Sequence, residues 1–306
     1  MNLSSSQLKI RARFLRNLRA FLDNQGFIEI TAPCLGKNAC PDIAVEPVSF
    51  NLFQENCFLQ PSPELYLKKI LAKHALDCYS LGPVFRADLP GKHHNVEFLM
   101  LEFYKMGEKA YPIIKELTTD ICKKIIGPRK IESFYYEEIW LNLTKNPYIY
   151  SSEYFSSLLI KNNIDFDPTW DTRTLEDLAF SFCCQPYLGI DCITIIDGFP
   201  PHQAALAQIN SSGIAERFEV FINGFELANG YHELSDFESN KKRFQDWTQQ
   251  RQEQKLPYWT IDEEYLSAML SFPQCSGVAI GLERLIMLGL EEEHLENSMV
   301  FHWSSL

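Results

Sequence analysis

The chain has 306 residues, 46% of them hydrophobic and 22% charged, with a formal net charge of −12. That is enough apolar material for the buried core of one large domain, and the acidic balance argues against a broad basic surface for nucleic acid, though not against a small basic pocket inside an acidic shell. The opening residues MNLSSSQLKIRARFLRN have no apolar leader region and no later segment stays apolar long enough to span a bilayer, so neither export nor a membrane partner is expected.

Nine cysteines occur without any C-x-x-C, an odd number with no framework, which fits free thiols in a reducing cytoplasm better than disulfides or a structural zinc. Residues 7–25 place Leu8, Leu15, Leu18 and Leu22 on one face at helical spacing, with arginines on the other and Gly26 as a C-cap. The arginine face reads either as a nucleic-acid patch or, more commonly, as a solvated helix face. FIEI predicts a short strand stopped by Pro33; IAVEPVSF and CFLQ predict further strands, and PELYLKKILAK a helix at 64–74. Then comes VFRADLPGKHHNVEFLMLEFY (84–104), two apolar arms around a turn that holds Arg86, Asp88, Lys92, His93 and His94, with Glu102 on the exit strand. Such a hairpin turn ordinarily needs only small or polar residues, so this loop carries something more than a turn.

A helix near 109–126 follows, and between about 128 and 190 the pattern weakens, predicting a mainly helical insertion within a single domain spanning 1–306. The last third returns to strands (ITIIDGF, FEVFINGFELANGYHEL and SGVAIG), with a polar helix at about 236–254 and the helix LERLIMLGL after the final strand. Strands joined mostly by hairpins, with helices around them, predict an α+β fold: an antiparallel sheet with helices packed on it.

Arg86 stands at a strand end and Arg284 in the first turn of a helix after Gly281, the usual equipment for phosphate. Glu226 and Glu233 lie seven apart, so an irregularity near Gly230 is needed to bring them to one face. Two carboxylates beside two arginines suit a Mg²⁺–polyphosphate complex, and Phe98 offers an apolar face for a base. The plainer reading of each alone is a surface ion pair. Glu64 could equally be a helix-start residue favoured by the dipole, and Tyr104 a core aromatic with a satisfied hydroxyl.

In order along the chain, GFIEITAPCL resembles motif 1 of the class II aminoacyl-tRNA synthetases, the 84–104 hairpin their motif 2, and GVAIGLERLIML their motif 3. Within that class, PSPELYLKKIL, HNVEF, LEFY and ELANGYHEL are similar to lysyl-tRNA synthetase, and PSPE, QAALAQI and CSGVAIGLERL to its truncated paralogues that attach (R)-β-lysine to elongation factor P. The resemblance implies a class II catalytic domain with no anticodon-binding domain, a homodimer through motif 1, and an ATP-dependent ligase that adenylates (R)-β-lysine and passes it to a lysine of elongation factor P rather than to tRNA. It also implies the site. ATP would meet Arg86, Ala87, Asp88, Asn95, Phe98, Glu226, Leu227, Gly281 and Arg284, and Mg²⁺ would meet Glu226 and Glu233. The amino acid would meet Ser62, Pro63, Glu64, Glu102, Tyr104 and Glu233, with Arg86, Arg284, Glu226 and Glu233 the catalytic set. Asp88 stands where the family has Glu, Glu283 where it has Asp, Lys92 where Arg is common, and Ser62 where the synthetase carries Ala. A second tRNA-synthetase-like activity, on tRNA or a small amine, and a non-catalytic regulatory role are the alternatives.

Overall fold

A computed structural model describes residues 3–306. Helix α1 (Ser5–Asn24) starts where the Ser4 hydroxyl accepts from the Gln7 N–H and Gln7 accepts from the Ser4 N–H, a reciprocal cap for two helix-end groups. Leu18 and Leu22 turn into the core, as the spacing predicts. Arg11 departs from the expected solvated face: it is 8% exposed, because its guanidinium grips both oxygens of Glu283 at 2.7 Å each.

Strands β1 (Ile28–Glu29) and β2 (Leu35–Gly36) follow, then β3 (Val48–Leu52), β4 (Glu55–Leu59), α2 (Glu64–His74), β5 (Cys78–Phe85), β6 (Glu97–Met106) and α3 (Ala110–Ile126). The stretch with the weak pattern carries β7 (Lys130–Tyr135), α4 (Tyr136–Thr144), α5 (Ser152–Lys161) and α6 (Thr172–Cys183). After it come β8 (Cys192–Phe199), β9 (Ala215–Ile222), β10 (Phe225–His232), α7 (Phe237–Glu253), α8 (Glu263–Met269), β11 (Cys275–Gly281) and α9 (Leu282–Gly289). By compactness the chain divides into two units: one runs to Pro128 and adds Ala205–Gln208 and Gly230–Leu306, the other comprises Arg129–Ala204 and Ile209–Asn229.

In the first unit β5 pairs parallel with β1 and antiparallel with β6, and β6 pairs antiparallel with β11. The register sets Ser80 opposite Glu102, and Tyr104 between Cys78 and Gly277. Side chains alternate along a strand, so Phe98, Met100, Glu102 and Tyr104 share one face of β6, and the facing positions of β11 are the small residues Gly277, Ala279 and Gly281. Leu65, Leu67 and Leu71 of α2 pack with Tyr104, Phe244, Trp247 and Tyr265 in the core beneath this face. In the second unit β8 runs parallel to β7 and antiparallel to β9, and β10 lies beside β9. The strands thus pair mostly antiparallel, with helices around them, as expected; β1 with β5 and β7 with β8 are the parallel pairs described.

IAVE is not a strand. Its segment is a loop whose carbonyls are taken by side chains instead of a ladder: Arg251 of α7 donates to Asp42 and Val45 and pairs with Glu46, and the Trp259 indole donates to Ala39. Among the described residues no helix is long and apolar enough to cross a membrane, and all nine cysteines are unbridged.

Candidate active site

Helix α2 begins at Glu64, with the Ser62 hydroxyl accepting from the Glu64 N–H at 3.2 Å, so Ser62 keeps its own hydrogen to donate. One turn on, Lys68 Nζ lies 2.6 Å from Glu64 Oε1 and 2.7 Å from Glu233 Oε2. Glu233 sits just beyond β10, its N–H bound to the Cys275 carbonyl. Among the described residues no donor meets Glu233 Oε2 at hydrogen-bond geometry, so its contact with Lys68 is an ion pair with acceptor capacity to spare. On β6 the Tyr104 hydroxyl donates to Glu102 Oε1 at 2.7 Å. The structure therefore brings together the sequence-predicted Ser62, Glu64, Glu102, Tyr104 and Glu233, and adds Lys68.

Burial, reinforced by the charge of Glu64, pushes Glu102 up to about 8. Burial likewise lifts Glu233 to about 7, with Lys68 opposing the rise. Burial disfavours the Lys68 ammonium, but Glu233 and Glu64 outweigh it and hold that group well above the ordinary lysine value. Gly277 makes this packing possible: a Cβ there would lie 2.3 Å from the Tyr104 ring and 2.5 Å from Glu233 Oε1. Gly277→Ala is expected to displace both groups and to destabilise the fold by about 1–3 kcal/mol, the scale of an overpacked core. Thermal melts check it; an unchanged midpoint would show that Tyr104 and Glu233 can shift without consequence.

The hairpin between β5 and β6 continues to Arg86, whose N–H donates to the Val96 carbonyl at 2.9 Å, and the next N–H, of Ala87, donates to Glu46. The Arg86 guanidinium lies 5.4 Å from the centre of the Phe98 ring. Among the described residues nothing hydrogen-bonds its buried Nε, the kind of orphan donor that an anion satisfies. Asp88 is exposed in the loop. Arg284, in the first turn of α9 after its N-cap Gly281, donates from Nε to the His93 carbonyl at 3.1 Å and reaches His94 Nε2 at 2.7 Å. Burial and the Arg284 charge lower His94, so its neutral ring nitrogen accepts this bond. The Asn95 amide donates to the Glu97 carbonyl and its side-chain oxygen accepts from the Trp303 N–H, so both ends of that side chain are engaged.

In the second unit Glu226 and Leu227 lie on β10, Glu226 half-buried and Leu227 buried. Glu219 on β9 is pushed up to about 8 by burial, Arg217 opposing and the Glu226 charge adding. Among the described residues no group of three or more His, Cys, Asp or Glu is arranged to hold a metal ion. Sequence reasoning missed Lys68 and Glu219. The last had a signal, since Glu219 precedes Glu226 by the same seven positions by which Glu233 follows it.

The chain belongs to the class II tRNA synthetase family: the family described as tRNA synthetases class II (D, K and N) matches residues 2–303. Within that class it is 33% identical over 303 residues to the elongation factor P--(R)-beta-lysine ligase of Salmonella typhi, covering 95% of this chain and 93% of that protein. It is 33% identical over 312 residues to the protein of the same name from Proteus mirabilis (97% and 95% covered), and 32% over 308 residues to that of Hamiltonella defensa (97% and 94%). The likeness expected from the three motifs, to the class and to these ligases within it, is met.

Proposed function

We propose that this chain is an ATP-dependent ligase that adenylates (R)-β-lysine and transfers it to the ε-amino group of a lysine of elongation factor P, releasing diphosphate and then AMP. The observation that carries the reading is the cluster of Glu64, Glu102 and Glu233 around the buried Lys68. Three carboxylates and one ammonium leave two formal negative charges, the complement of an amino acid with two ammonium groups. The relatives' printed names supply the particular amino acid and acceptor.

In this reading Ser62, Pro63, Glu64, Glu102, Tyr104 and Glu233 line the amino acid. Arg86 neutralises the substrate carboxylate and the α-phosphate while a carboxylate oxygen attacks phosphorus in line and diphosphate leaves. Phe98 gives adenine an aromatic face, the Asn95 main chain borders the base, and Ala87, Asp88 and Gly281 complete the nucleotide site of the first unit. Arg284, preset by His94, meets the terminal phosphate. Mg²⁺ would take Glu226 with Glu219, hard oxygen donors few enough to leave positions for water and phosphate; Glu233, engaged with Lys68, fits a substrate ammonium better. Bound there, the metal neutralises phosphate charge. A homodimer through the motif 1 region agrees with the exposure of Ile28, Leu35 and Phe50.

The deciding experiment offers labelled (R)-β-lysine, with ATP and Mg²⁺, to elongation factor P and to total tRNA separately. Acid-stable label on elongation factor P is expected. Label on tRNA, or adenylate accumulating with neither acceptor labelled, overturns the assignment. A pH dependence follows from Glu102, which keeps its proton up to about pH 8 in the empty pocket and must lose it to hold an ammonium. The KM for the amino acid is therefore expected to fall as pH rises from about 6 to about 8 and to level off above, by up to tenfold per pH unit. The same shift makes the unliganded fold less stable as pH climbs from 4.5 towards about 8, since the unfolded chain releases this proton first. Diphosphate exchange across a pH series checks the KM; a flat profile would remove Glu102 from the ammonium site.

A further inference from the structure

We infer that Lys68 is a positioning and specificity-determining residue: its buried ammonium holds Glu64 and Glu233 in place and cancels one charge of the pocket, so that affinity is reserved for substrates bringing two ammonium groups. The inference rests on the proposed function and deepens it. Lys68 is 1% exposed and its Nζ spans two carboxylates from different parts of the unit, one a helical turn away on α2 and one at the end of β10. Its neighbour Lys69 shows what an ordinary lysine does here: it leaves the pocket for Asp262 and the exposed Glu264. The other titratable groups that respond to Lys68 come from every element around it: Glu102 on β6, Tyr265 on α8, Cys275 on β11 and Cys40 in the 38–47 loop.

Two carboxylates this close would repel, swing apart or take up protons without a cation between them. A substrate ammonium could serve as that cation, but then the empty pocket would be disordered and one substrate charge would be spent on tethering. A resident lysine removes both problems. Its point charge hydrogen-bonds Glu64 and forms an ion pair with Glu233 at the same time.

The test measures amino-acid binding by calorimetry without ATP, using (R)-β-lysine and the analogue in which a methyl replaces the terminal ammonium. In Lys68→Met, affinity for (R)-β-lysine is expected to drop at least tenfold while that for the mono-ammonium analogue changes less than threefold, so that the preference between them collapses. In Lys68→Ala, millimolar propylammonium is expected to restore (R)-β-lysine binding and raise the thermal midpoint, and propanol, of similar size, to do neither. Lys68→Arg keeps the charge and serves if the neutral variants do not fold; it should preserve the wild-type preference to within threefold, with weaker absolute affinity. Unchanged preference in Lys68→Met, rescue by propanol as good as by propylammonium, or loss of the preference in Lys68→Arg would each overturn the role of Lys68. If instead the wild type binds no di-ammonium amino acid, the proposed function falls with it, an outcome distinct from those three.

Discussion

Arg86→Ala is expected to slow amino-acid-dependent diphosphate–ATP exchange by roughly 10²–10³-fold, about 2.7–4 kcal/mol, the cost of losing one preorganised donor to developing charge. The geometry makes this a loss of chemistry with little loss of fold. The Arg86 main chain is held by the Val96 carbonyl whatever the side chain, and the guanidinium itself lies over Phe98 with its buried Nε unengaged by the described residues. Arg86→Lys should recover only part of the rate, because a point charge cannot reach a carboxylate and a phosphate with two parallel bonds. Circular dichroism would confirm folding beside the exchange assay. Near-normal exchange in Arg86→Ala would mean that the orphan nitrogen faces nothing that reacts.

The largest effect on stability is expected at Arg11. Arg11→Ala leaves Glu283, itself 4% exposed, without the fork that holds both its oxygens, and an uncompensated buried charge costs about 3–5 kcal/mol. For a chain of this size that is a fall in thermal midpoint on the order of 10 °C. Replacing both partners with methionine should recover most of the loss, since the buried charge then disappears with its partner. Thermal melts of the two variants decide it: an unchanged midpoint for Arg11→Ala would show that water reaches the pair. The pair also explains an acidic residue immediately before Arg284. It anchors α1 to α9, and Arg11 further donates to the Ser298 carbonyl, so its work is structural.

The elements that could be read from the sequence were those whose reasons are local. Helix α2 falls on the predicted 64–74 because its leucines recur at helical spacing, and the hairpin of β5 and β6 because two apolar arms flank a polar turn. The failures have distant causes. IAVE has the composition of a strand, yet its Val45 carbonyl is claimed by Arg251, and the Asp42 and Ala39 carbonyls just before it by Arg251 and Trp259, about two hundred residues later. Arg11 sits on a stripe of arginines that looks solvated, and only Glu283, far along the chain, draws it inside. In the candidate site, motif order pointed to Glu64, Glu102, Tyr104 and Glu233, which the structure brings together, but Lys68 is one of two adjacent lysines, and which of them turns inward depends on packing that spacing does not encode. Asn95 was placed correctly in the hairpin, but nothing nearby in the sequence announces that Trp303 occupies its side-chain oxygen.

The loop at 38–47 packs Cys40 and Ile43 against the hydrophobic core around Leu65, Tyr104 and Tyr265, and burial with the Glu64 charge raises the Cys40 thiol. Much of what fastens it, from Arg251 and Trp259, grips main-chain carbonyls, which every residue type offers alike. Side chains at Ala39, Cys40, Ile43 and Ala44 can therefore be exchanged without undoing those fastenings. In the terms of directed evolution, this makes the segment a mutable rim on a fixed mount. Libraries seeking enzymes that accept longer or shorter diamino acids have most freedom there, with the carboxylates and the arginines left untouched.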